Sequence, residues 1–164
     1  MNFIFNEATY VEDLFFYYPD KKLYTKGDGH CGFYTLSLLL CGTPEYHYQL
    51  RNIIANHIIY SPINLEEFVW WEDARELAYK DLETDTTKYT NNWMRSIHLA
   101  AAADLFGCNI LVKCQDRLGW ECYNFTTFNY GRNNTIFQSE LPCLLIDNSS
   151  GNHFEPVITV KKGC

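Results

Sequence analysis

Gly27-Asp28-Gly29-His30-Cys31-Gly32 runs directly into Phe33-Tyr34-Thr35-Leu36-Ser37-Leu38-Leu39-Leu40, and Gly42 closes the stretch. Three glycines in six residues are loop chemistry. The run behind them is apolar on nearly every face of a helix. It predicts a buried helix that begins at or just after Cys31 and stops at Gly42. A cysteine at such a start meets unpaired N–H groups and the positive end of the helix dipole, and both favour a thiolate. Backbone amides of the loop can also converge on an oxyanion.

Downstream, Thr43-Pro44-Glu45 reads as an N-cap, a Pro at the first helical position and an early acid. Leu50, Ile53, Ile54, His57 and Ile58 continue at helical spacing to about Tyr60. After Ser61-Pro62, Leu65 to Leu82 reads as a charged amphipathic helix. Trp93 to Phe106 reads as a further helix, with small residues Ala100 to Ala103 and Gly107 as its C′ residue. The pattern then changes to strand-length segments at 109–114, 120–125, 143–146 and 154–160, separated by turn-rich residues. Helices first and a meander of strands second argue α+β. No repeat or linker interrupts residues 1–164, which are read as one domain.

Composition narrows the function. Lys and Arg number 13 against 20 Asp and Glu, a net charge of −7. That is the wrong sign for neutralising phosphates, so neither nucleic acid nor an anionic membrane is expected as a partner. Residues 66–85 hold eight acids and two bases, which is −6 of the total. The stretch reads as a solvated helix face; the alternative is an acidic surface that meets a basic partner. The first twenty residues carry no Lys or Arg, unlike a secretory leader, and no apolar run reaches the ~18 residues needed to span a bilayer. A soluble, cytoplasmic protein is the expectation.

Seven cysteines is an odd count, and none is spaced C-x-x-C. That argues against a disulfide scaffold and a zinc ribbon and for packing thiols in a reducing compartment. Only Cys31 combines a Gly-rich approach loop with a following helix. Of five histidines, His57 and His98 fall within helical patterns and His47 opens a helix. His30 adjoins Cys31 and is expected to line the cleft. His153 follows the loop Asn148-Ser149-Ser150-Gly151-Asn152 and opens a strand, a common place for a catalytic base. The group orienting that imidazole is either Asp28, in the nucleophile loop, or Glu155, on the same face of an extended strand as His153.

Together these fragments resemble the ovarian tumour (OTU) family of cysteine deubiquitinases. Gly27 through Tyr34 is similar to its nucleophile signature G-D-G-x-C-x-[FY], and Asn152-His153-Phe154-Glu155-Pro156-Val157 to its histidine motif. Cys41 to Arg51 and Trp93 to Ile110 resemble the segments between, in the same order. The resemblance implies a papain-like α+β fold, with helices packed on a small central, mostly antiparallel β-sheet. It implies Cys31 as nucleophile, His153 as general base and Asp28 as an active-site acid. The backbone of Asp28, Gly29 and Cys31 would form the oxyanion hole, with His30 and Asn152 lining the cleft. Glu155 stands where the family usually has Asp or Asn. The implied reaction is hydrolysis of the bond between the C-terminal Gly of ubiquitin, or a ubiquitin-like modifier, and lysine. No metal or cofactor is called for, and a monomer acting on ubiquitin or polyubiquitin is expected. The alternatives are a catalytically weak ubiquitin-binding module and a protease derived from a viral or transposon polyprotein.

Overall fold

The computed structural model describes residues 14–61, 74–115, 119–124 and 140–163. Helix α1 spans Cys31–Cys41 and ends where Gly42 takes a left-handed φ of 74°, its N–H donated to the Leu38 carbonyl. Thr43 caps a single 3-10 turn, Pro44–Tyr46, and α2 follows over His47–Tyr60. Helices α3, Ala74–Glu83, and α4, Ser96–Phe106, complete the described helices. α3 lies inside the predicted charged helix, whose first part falls outside the described residues. α4 starts at Ser96 rather than Trp93 because Arg95 is extended, with φ −129° and ψ 176°.

Five strands form one sheet in the order β1-β5-β4-β2-β3. They are β1, Tyr17–Lys22; β2, Asn109–Cys114; β3, Glu121–Tyr123; β4, Cys143–Asn148; and β5, Glu155–Lys162. The pairs β1–β5, β5–β4 and β2–β3 are antiparallel, whereas β2 and β4 run parallel. The sheet is mostly antiparallel and the fold α+β, as expected, but the strands do not form a meander. β1, which the sequence reading missed, joins from the N-terminal side and pairs with β5.

Side-chain alternation along the central strands divides the core. Ile110 and Val112 of β2, with Leu144 and Ile146 of β4, pack against the helices. Leu111 and Cys143, one residue out of phase, form a smaller cluster with Leu14 on the other face, against Trp120, Cys122 and Val160. α1 is buried over nearly its whole length, and Ala100 to Ala103 of α4 are fully buried. The Cys31 end of α1 therefore packs into this core.

The cysteines Cys108 and Cys143 are buried free thiols, and Cys41, Cys114 and Cys122 are half-buried free thiols. Burial pushes Cys108 up to about 12 and Cys122 up to about 11. All five pack in or against the two core clusters.

Candidate active site

Cys31 is the first residue of α1, and the helix's opening hydrogen bond runs from the Tyr34 N–H to the His30 carbonyl at 3.0 Å. The N–H groups of Phe154 and Gly32 reach its sulfur and favour the thiolate. Burial opposes them, the Asp28 charge adds to burial, and the thiol is held above its ordinary value. The helix start thus provides amides, but desolvation outweighs them. Cys31 opens onto a cavity of about 210 Å³ that Trp93, Met94, Glu121, Asn148 and Asn152 help to line.

The loop before Cys31 is clasped by residues 88–92. Gly29 has φ +90°, and a Cβ there would stand 1.9 Å from the Thr90 carbonyl oxygen. Thr90 N–H donates in turn to the Asp28 carbonyl at 3.0 Å. Asp28 shapes this loop from within. Its Oδ1 accepts from the His30 N–H at 3.1 Å and its Oδ2 from the Tyr34 hydroxyl at 3.0 Å. Burial, with the Asp28 charge behind it, pushes the Tyr34 phenol up to about 12, so it remains a donor. The amides of Asp28 and Gly29 have no hydrogen-bond partner among the described residues, and that of Cys31 lies at its own sulfur.

His30 does not line the cavity. It is fully buried, packed edge-on to Tyr34 and His47, and its Nε2 bonds the Lys88 carbonyl at 2.8 Å. Its Nδ1 accepts from Arg51 Nη2 at 3.1 Å. Arg51 is itself fully buried and also bonds Asp81 and the Asn92 carbonyl. Asp81 accepts further from Asn92 Nδ2 at 2.8 Å and His98 Nε2 at 2.6 Å. A member of the supposed acidic face is thus the centre of a buried ion network beneath the nucleophile loop. Glu66, Glu67, Glu72 and Asp73 lie outside the described residues.

His153 flanks Phe154, the residue whose amide reaches the Cys31 sulfur. β5 begins only at Glu155, so the strand alternation expected to bring Glu155 to His153 does not apply there. Glu155 pairs instead with Lys22 at 2.5 Å, and Lys22 also bonds Asp147 at 2.7 Å. Neither Glu155 nor Asp28 is hydrogen-bonded to the imidazole. His153 Nε2 lies 3.2 Å from Thr25 Oγ1, and Thr25 donates to the Phe154 carbonyl at 2.6 Å. Thr25 carries no sequence signal, since it sits among lysines and aromatics after a polar edge strand.

This arrangement of helices and sheet has counterparts among solved structures. The OTU domain of OTUD1 matches with a TM-score of 0.61 at 16% identity, covering 84% of this chain and 85% of that one. The chain folds as an OTU domain. The viral OTU domain protease from Qalyub virus gives 0.58 at 17% identity, covering 84% of this chain and 83% of that one. The Hazara virus OTU bound to ubiquitin gives 0.56 at 14%, covering 99% and 96%. In sequence, OVARIAN TUMOR DOMAIN-containing deubiquitinating enzyme 9 of Arabidopsis thaliana is 34% identical over 87 residues, 53% of this chain. The match spans 23% of that relative's length. No family model matches the chain. Cys31 lies at the start of α1, and His153 lies in the turn two residues before β5 rather than opening the strand.

Proposed function

We propose that this OTU domain is a cysteine-type deubiquitinase that hydrolyses the bond between the C-terminal Gly of ubiquitin and lysine through a Cys31 acyl-enzyme. The observation that carries the reading is the meeting of Cys31, at the start of α1, with the amide that follows His153. In the first half-reaction the Cys31 thiol gives its proton to His153, and the sulfur attacks the Gly carbonyl. The oxyanion that forms is met by amides of the Asp28–Cys31 loop. Collapse breaks the C–N bond, and the imidazolium protonates the departing lysine amine. His153 then takes a proton from water, the hydroxide attacks the thioester, and the Cys31 sulfur leaves and regains its proton.

The raised thiol fits this order of events. A buried, protonated nucleophile is activated by proton transfer when substrate arrives, rather than held as a standing thiolate. Ubiquitin as substrate is supported by the Hazara virus domain, solved bound to ubiquitin, and by the deubiquitinating Arabidopsis relative. A panel of di-ubiquitins tests the proposal. Cleavage of at least one linkage by the wild type and none by Cys31→Ala is expected. Equal cleavage by both proteins, or none by either, would overturn it.

A further inference from the structure

We infer that Thr25 is the positioning residue that orients His153, in place of a carboxylate; the inference rests on the deubiquitinase reading above. Thr25 is 3% exposed, and its hydroxyl has one hydrogen. At 2.6 Å that hydrogen is committed to the Phe154 carbonyl. The oxygen's lone pair is then what faces His153 Nε2 at 3.2 Å. Only an N–H on Nε2 completes the contact. The neutral imidazole is thereby held as the Nε2–H tautomer, which leaves the lone pair on Nδ1 for the proton transfer proposed above.

The same residue braces the backbone. The carbonyl of Phe154 is bonded to Thr25, and its N–H reaches the Cys31 sulfur. One hydroxyl therefore fixes both the tautomer of the imidazole and the turn whose Phe154 amide reaches Cys31. The two carboxylates that could have done so are occupied. Glu155 is paired with Lys22, and Asp28 holds Tyr34 and His30.

The test compares Thr25→Val, which keeps the shape and loses the oxygen, with Thr25→Ser, which keeps the oxygen. Thr25→Val is expected to lower kcat roughly tenfold or more with KM little changed, as for other groups that act by holding a catalytic imidazole. Thr25→Ser is expected to recover most of it. Nitrogen NMR of His153 in the substrate-free wild type should show the Nε2–H tautomer, and in Thr25→Val a mixture. The tautomer is read without substrate, so a wild type that fails to cleave di-ubiquitin speaks only against the deubiquitinase reading. An Nδ1–H tautomer in the wild type would overturn the role of Thr25, even if Thr25→Val does not fold. So would an active wild type whose kcat survives Thr25→Val unchanged.

Discussion

Asp81→Asn removes the charge at the centre of the buried network and nothing else of comparable size. Asp81 Oδ1 accepts from Arg51 and Asn92, and Oδ2 from His98 Nε2. The His98 ring cannot turn to help, because its Nδ1 already accepts from the Arg95 N–H at 2.9 Å. Either orientation of an Asn amide sets an NH2 group against another donor. The Arg51 guanidinium would also remain fully buried without its counter-charge. Burial already lowers the Arg51 pKa against the pull of Asp81, which shows the sense of the desolvation it bears. Removing one partner of a buried pair costs about 3–5 kcal/mol. Against a total stability of roughly 5–15 kcal/mol that is a large share. For a chain of this size it corresponds to a drop in Tm of roughly 6–20 °C. Urea unfolding followed by tryptophan fluorescence, with calorimetry for Tm, measures it. Glu76→Gln is the control, because Glu76 and Lys80 form an exposed pair on the same helix; its expected cost is below about 0.5 kcal/mol. A loss under about 1 kcal/mol for Asp81→Asn at unchanged m value would refute the reasoning.

Three further outcomes follow from the site. Glu155→Gln should keep kcat within about threefold, since Glu155 serves Lys22 and not His153; a loss of a hundredfold would return the carboxylate to the imidazole. Gly29→Ala should cost at least 1–3 kcal/mol in urea unfolding, roughly the scale for a strained backbone, and more from the clash with Thr90; a neutral effect would mean the clasp is not tight. Burial raises the Cys31 pKa, so its protonated form persists to higher pH than in a free thiol. Alkylation of Cys31 by iodoacetamide should therefore keep accelerating through pH 8–9, the region where ordinary thiols titrate at about 8.5. A plateau below pH 7 would reveal a standing thiolate instead.

The parts of this molecule that were legible in the sequence are those fixed by local chemistry. Helix α1 was readable because a Gly-rich loop, an apolar run and Gly42 each mark one of its features. Cys31 stood out for the same reason. The sheet was readable only as segments. That β4 lies parallel to β2, and that β5 inserts between β1 and β4, depends on tertiary pairing that no segment encodes alone. β1 carries Pro19 and Asp20 and reads as a polar loop; at a sheet edge those residues are tolerated. Asp81 was misread within a run of acids, although a signal existed. Ala74, Leu77, Ala78 and Asp81 recur at i, i+3, i+4 and i+7 and are all buried, which puts the carboxylate on the core face of α3. Arg51 sits on the same pattern with Ile54, Ala55 and Ile58 in α2. Thr25 left no such trace, since its role comes from a hydrogen bond across the fold.

The central claim is that one thiol of seven, Cys31, is the nucleophile that meets the C-terminus of ubiquitin. Ubiquitin carrying an electrophile in place of its C-terminal carboxylate, incubated with the protein and read by intact mass and peptide mapping, tests it directly. The account predicts a single adduct on Cys31, abolished in Cys31→Ala. An adduct on any other cysteine, or none while ubiquitin still binds, would contradict it.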